Sequence, residues 1–186
     1  ILNRMEASGE PVVKMAHVVF TRKPDGGLRP IGLLAGLMRI WNRVRRRYAR
    51  QWEAEHFRAY FFSGKGKSAL NSATLQLARA EVARSRDLAY ATAMLDLEKC
   101  YERVRHGWLW DAAVQMQMPL QLVRICIATY GGLRRLCING AYSQPFAIGT
   151  SITAGCALAT TMLRLALIRI MNSVCRWYPT VSLDVY

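Results

Sequence analysis

Two rhythms of apolar and polar positions alternate along this chain. Val12 to Phe20 is short, apolar and β-branched, which predicts a strand. Lys23-Pro-Asp-Gly-Gly27 predicts a turn, because Gly tolerates positive φ and Pro and Asp favour turn starts. Leu28 to Leu34 returns as a second strand, with Pro30 marking it as an edge or irregular one. The rhythm then changes. Leu37, Trp41, Val44, Tyr48 and Trp52 recur at steps of 4, 3, 4 and 4, one face of a helix over Leu37 to Trp52. Arg39, Arg43, Arg46 and Arg50 recur at steps of 4, 3 and 4 on roughly the opposite face.

Further along, Ser68 is placed to cap a helix running to about Arg84. Ala89 to Leu95 is a continuous small and apolar run ending at Asp96, the pattern of a buried central strand. A helix is expected from about Glu98 to Met116, and Pro119 opens another that Gly131-Gly132 ends. Leu133 to Ile138 and Ala141 to Ile148 flank Asn139-Gly140, a hairpin signal. Ala154 to Trp177 reads as a long helix with Leu158, Met162, Leu165, Ile168 and Val174 along its apolar side, ended by Pro179. Val181 to Tyr186 reads as a last strand. The mixture is α+β, without repeat or low-complexity segment.

Composition narrows the function classes. The 186 residues hold 26 Lys+Arg and 12 Asp+Glu, a net charge of +14, and are 52% hydrophobic. A disordered tail is too polar to match this, and a coiled coil carries far more charge. The charge asks for a polyanionic partner, nucleic acid first and an anionic membrane surface second. No basic-then-apolar leader and no apolar run long enough to span a membrane is visible, so an intracellular protein without membrane insertion is expected. The chain opens on Ile1 rather than Met, as if cut from something longer. The five widely spaced cysteines, with no C-x-x-C pair, read as reduced core residues. Ser63-Gly-Lys-Gly-Lys-Ser68 fails as a phosphate loop, because Phe61 stands where the first Gly is needed.

With acids so scarce, Asp96 stands out. A carboxylate ending an apolar strand needs a cation, a metal or several donors. It reads either as the N-cap of the following helix or as a Mg²⁺ ligand beside a basic surface. The Arg stripe likewise reads either as a solvated face or as a phosphate contact. No acid lies between Leu28 and Trp52 to neutralise it.

Asp96-Leu-Glu-Lys-Cys-Tyr101 resembles motif A of reverse transcriptases. Arg22 to Leu34 resembles the fingers hairpin and "RPI-x-LL" signature of the non-LTR retrotransposon and group II intron branch, and Phe62 to Ala69 its "GF-x-x-GRS" element. Gly149 to Leu158 resembles motif B, and Ser182 to Tyr186 the strand entering the Y-x-D-D of motif C. The order of these five motifs along Val12 to Tyr186 carries the resemblance.

The resemblance implies a right-hand polymerase arrangement of fingers and partial palm, with mixed helices and a small antiparallel palm sheet. Residues 1–87 would be fingers, 88–105 palm, 106–148 fingers, connecting helices and hairpin, and 149–186 palm. It implies RNA-directed DNA polymerisation: a primer 3′-OH attacks the α-phosphate of a dNTP, with two Mg²⁺ ions (or Mn²⁺) at Asp96. Lys23, Arg29 and the Leu97 peptide would meet the triphosphate, and Tyr101 would exclude a ribose 2′-OH. Ala154 and Gly155 would lie beneath the template–nucleotide pair. Arg39, Arg43, Arg46 and Arg50 would line the RNA template or DNA primer backbone.

Some positions depart from the family pattern. Ala154 stands where motif B usually has Gln, and Ala157 and Ala159 where it has Pro and Ser. Cys100 replaces the usual Ala before the motif A aromatic. If Tyr186 opens Y-x-D-D, both aspartates fall beyond it, Asp184 has no aromatic two residues before it, and this stretch alone is expected not to polymerise. The alternative function is a maturase-type RNA-binding protein of reverse-transcriptase-like fold without polymerase activity.

Overall fold

A computed structural model describes residues 1–63 and 66–185. Among these lie seven helices and four strands, an α+β fold. In chain order they are α1 (Leu2–Ser8), β1 (Met15–Arg22), β2 (Leu28–Leu33), α2 (Gly36–Glu55), α3 (Ala69–Ser85), α4 (Cys100–Arg103), α5 (His106–Gln115), α6 (Leu120–Tyr130), β3 (Leu133–Ile138), β4 (Ala141–Tyr142) and α7 (Ala159–Trp177). The chain divides into two compact units. Unit 1 is Ile1–Glu55 with Lys99–Arg169; unit 2 is His56–Glu98 with Ile170–Tyr186.

Unit 1 holds the sheet, in order β2-β1-β3-β4. The β1–β2 hairpin closes on Lys23 to Gly27 as the turn residues predict, with Gly26 at φ 82° and the Asp25 carboxylate accepting from the Gly27 N–H at 2.9 Å. β3 joins β1 in parallel, Met15 opposite Leu133 and Val19 opposite Cys137. The sheet is therefore mixed and comes from the segments read as fingers and hairpin; the described residues of 88–105 and 149–185 form no strand, so they do not make the small antiparallel palm sheet that the resemblance implies. β3 reaches β1 only after a long helical connection, and such a crossover permits parallel pairing. At Asn139-Gly140 both residues take positive φ, the mirror-image turn that suits a two-residue hairpin. β4 is shorter than expected. Pro145 has no N–H to give the ladder, and pairing resumes only as an isolated bridge between Arg134 and Phe146, one residue out of register.

The core of unit 1 lies between the sheet and the helices. Trp41 and Trp52 of α2, Leu109 of α5, Val123 and Ile125 of α6, and Met162 and Leu165 of α7 are buried in it. The buried face of α2 is Met38, Trp41, Asn42, Ala49 and Trp52. It is rotated from the expected stripe, and Val44 and Tyr48 face outward. Arg45 belongs to the inner side of the helix instead, because its guanidinium meets the Glu6 carboxylate of α1, with Nη2 to Oε2 at 2.6 Å.

The helix expected over 98–116 is two helices. Val104 between them is extended, and its carbonyl accepts from the Ser151 N–H at 2.8 Å, a partner outside the helix. The last long helix starts at Ala159, not Ala154, because the preceding residues form a loop held by outside partners. Of the cysteines, Cys126 and Cys156 are core, while Cys100, Cys137 and Cys175 are half-buried.

Unit 2 is built on α3, capped as expected by Ser68, whose hydroxyl accepts from the Asn71 N–H. Residues 181–184 form no strand. Val185 makes an isolated parallel bridge with Phe61, and the expected motif C residue Tyr186 lies outside the described residues. Asp184 is buried and ion-paired to Arg79 at 2.9 Å. Residues 88–97 are exposed and form no regular element, which corrects the expectation of a buried strand over Ala89 to Leu95. A strand is defined by its partners, and none of the described residues pairs with this run.

Candidate functional site

The expected site residues fall into two groups. Lys23, Arg29, the four arginines of the stripe, Tyr101, Ala154 and Gly155 belong to unit 1; Asp96 and Leu97 belong to unit 2. Within unit 1 the loop over 149–158 is the organising feature. Its Ala154 carbonyl accepts from the Gly32 N–H of β2 at 2.7 Å. Gly155 takes φ 105°, and a Cβ there would lie 2.4 Å from the Gly32 carbonyl oxygen, so the two chains touch only because neither residue has a side chain. From the other side, Ile152 N–H donates to the Tyr101 carbonyl at 2.7 Å, and the Thr150 hydroxyl donates to the Glu102 carbonyl at 3.1 Å. Three segments singled out in the sequence thus meet at one loop: the Arg22–Leu34 hairpin, the residues around Tyr101, and Gly149–Leu158.

Residues that sequence reasoning missed hold this loop. The Arg134 guanidinium of β3 donates to the Ser151 hydroxyl and to Thr153 Oγ1 at 3.2 Å. Burial lowers the pKa of Arg134, opposed by the nearby Glu102 charge. Ser151 takes φ 113°, a conformation rare for a side-chain-bearing residue, and His106 Nε2 lies 2.8 Å from its carbonyl oxygen. The Arg134-Arg135 pair inside an otherwise apolar strand was the one visible sign of this network; the strain at Ser151 leaves no trace in the sequence.

Beneath the loop, the Cys156 sulfur collects donors from the Tyr130 hydroxyl at 3.3 Å, Asn42 Nδ2 at 3.5 Å and the Leu158 N–H at 3.4 Å. With the Cys126 thiol as the leading partner, these hold the Cys156 thiol below its ordinary range, with burial opposing. Cys126 is pushed up by that same contact and by burial.

The side chains of Arg39, Arg43, Arg46 and Arg50 are all exposed, as the stripe predicts, and Arg47 lies over the Tyr48 ring at 4.7 Å. A cleft of about 250 Å³ opens on the opposite flank of α2, lined by Trp41, Arg45, Tyr48 and Leu122. Lys23 and Arg29 are exposed at the β1–β2 hairpin. Tyr101 is half-buried and packs against the core.

In unit 2, Asp96 and Leu97 are exposed in the irregular segment, which corrects the expected placement of Asp96 at a buried strand end. Among the described residues no group of three or more His, Cys, Asp or Glu side chains comes together. Asp96 is the one carboxylate that the resemblance assigns to the metal pair, and two Mg²⁺ ions need further oxygen donors beside it. Lys67, the second lysine of the rejected phosphate-loop pattern, donates to the Phe61 carbonyl at 2.8 Å and lies over the Phe57 ring at 4.5 Å. Its ammonium is committed to folding unit 2. Gly64 and Lys65 of that pattern lie outside the described residues.

No known family model matches the chain, and no curated protein does. Among the described residues no helix is long and apolar enough to cross a membrane.

Proposed function

We propose that this chain is a nucleic-acid-binding part of a reverse-transcriptase-like protein, the fingers and a portion of the palm of an RNA-directed DNA polymerase. The observation that carries the proposal is the cationic face of α2. Four arginines stand exposed in register over three turns, with no acid on the helix before Glu53. Guanidinium groups so aligned repel one another, and phosphates relieve that repulsion while taking paired N–H donors. The docking of the Gly149–Leu158 loop onto the Gly32 and Tyr101 backbones supports the resemblance, since those segments carry its motifs.

Changing Arg39, Arg43, Arg46 and Arg50 together to Gln weakens RNA binding. It also flattens the dependence of log K on log salt by about 3 units, at roughly 0.7–0.9 per lost phosphate contact. Titrations at several salt concentrations check this, and an unchanged slope refutes it.

A second reading, RNA binding without polymerisation, is favoured by the isolated exposure of Asp96. Primer extension on an RNA template with Mg²⁺ separates the two, using a chain long enough to include a Y-x-D-D segment. The polymerase reading expects extension that Asp96→Asn abolishes. Extension unchanged in Asp96→Asn removes Asp96 from catalysis, and RNA binding without extension selects the second reading.

A further inference from the structure

The sheet has two faces, and the loop over 149–158 meets one of them through Arg134 and Gly32. Ala16 and Val18 of β1 point into the core, so His17 between them points the other way. Residues paired across a ladder share a face. Pairing therefore puts Leu33 of β2 beside His17, Arg135 of β3 on its other side, and Arg29 opposite Thr21 on the same outer surface. Tyr142 of β4 joins this face opposite Cys137.

The outer face is aromatic and basic. Tyr142 is 59% exposed, and its ring meets that of His17 at 75° with centroids 5.6 Å apart. Leu33 is 48% exposed. Two arginines, Arg29 and Arg135, share this face, and the four strands carry neither Asp nor Glu. From β2 to β4 the surface spans three strand spacings, about 14 Å, the width over which open four-stranded sheets stack two or three unpaired bases.

We propose that this outer face is a stacking platform for single-stranded nucleic acid, with unpaired bases on Tyr142 and His17 and their phosphates against Arg135 and Arg29. An acidic peptide would satisfy the arginines and leave the rings without a π-face to stack on. A duplex would satisfy the charge and offer no free base. A single strand satisfies both. The platform shares no residue with the α2 stripe and does not require polymerase activity.

The test is fluorescence anisotropy of the whole chain with labelled oligouridine and oligothymidine, together with photocrosslinking of 5-bromouridine RNA. Tyr142→Ala should weaken binding roughly tenfold, the scale of one lost base–aromatic stack. Tyr142→Phe should bind as the unmodified chain does, and crosslinks should fall on Tyr142 or His17. The salt slope should be unaltered in Tyr142→Ala, because the ring carries no charge. A ring-dependent loss with either oligonucleotide supports the platform; a loss confined to oligouridine adds the 2′-OH to what it reads.

Tyr142 is exposed, and equal melting temperatures of the variants separate lost binding from lost folding. Unchanged affinity in Tyr142→Ala overturns the proposal. So does displacement of the oligonucleotide by polyglutamate as effectively as by unlabelled single strand. Binding lost in the four-arginine α2 variant and kept in Tyr142→Ala overturns the platform alone and leaves the α2 reading standing. The reverse result overturns the α2 reading alone.

Discussion

Gly155 has a backbone conformation and a neighbour that each exclude a side chain. Its φ of 105° is unfavourable for L-residues, and a Cβ would meet the Gly32 oxygen at 2.4 Å. Gly155→Ala should therefore cost about 2 kcal/mol or more, the sum of backbone strain and a displaced loop. Urea denaturation measures this, and a loss under about 0.5 kcal/mol, the scale of an ordinary surface substitution, would show that the loop yields.

Glu6 offers a test through pH. Its carboxylate accepts from both Arg45 and the indole N–H of Trp41, which is 1% exposed. Arg45 above all holds Glu6 below the usual carboxylate range, with Trp41 helping and burial opposing. A carboxylate whose pKa is lowered on folding contributes stability that is complete above its unfolded pKa and is lost as pH falls through the folded value. Glu6→Gln should thus be less stable by roughly 1–2 kcal/mol at neutral pH, from a weakened ion pair and a poorer partner for Trp41. The gap should close as the pH drops below about 4. Thermal melts of both chains across that range check the sign. Neither of these contacts was legible in the sequence. Glu6 and Trp41 are 35 residues apart, and nothing in an amphipathic pattern says which acid will reach across.

At the scale of elements, local chemistry was read well and partner-dependent structure was not. Ser68 as a cap, Pro119 as a helix start, Asn139-Gly140 as a turn and Lys23–Gly27 as a hairpin tip all depend on nearest neighbours, and all are present. The Arg stripe of α2 also survives, because a helical period fixes which residues share a face. The buried face of α2 shifted: Trp41 and Trp52 are inward as the stripe expects, but Met38, Asn42 and Ala49 are buried with them in place of Val44 and Tyr48, and Arg45 turns to Glu6. The Ala89–Leu95 run failed for a different reason. Its apolar sequence is compatible with a buried strand, but strands require an edge elsewhere in the fold, and the described residues pair none with it. The apolar residues Met94 and Leu95 stand 83% and 88% exposed. The expected site divides along the same line. The parts tied to a helix period or a tight turn stand where the pattern put them. Asp96 does not, because its position was inferred from that strand.

For the molecule as a whole, the charge of +14 on 186 residues is gathered on particular elements. α2 carries six of the arginines and the four strands four more, while the acids of unit 1 are drawn into pairs such as Glu6 with Arg45 and Glu53 with Arg164. Each unit is assembled from two separated stretches of chain. The core of unit 1 takes Trp41 and Trp52 from before the interruption and Leu109, Ile125 and Met162 from after it. Unit 2 is likewise closed by contacts such as Arg79 with Asp184 and Tyr60 with Asn172. Such long closures slow folding more than they weaken the folded state.

That interleaving gives the exposed segment over 88–97 a distinctive consequence. A protease cutting there severs one peptide bond but separates neither unit, because each has one stretch of its chain on either side of the cut. The nicked protein should elute as a single species under native conditions and resolve into two fragments only in denaturant. Mixing the two purified fragments should then regenerate the whole, as a protein rebuilt from complementary pieces; fragments that part in native buffer would show that the cores do not hold without the bond. The polypeptide is continuous, but its integrity would rest on packing.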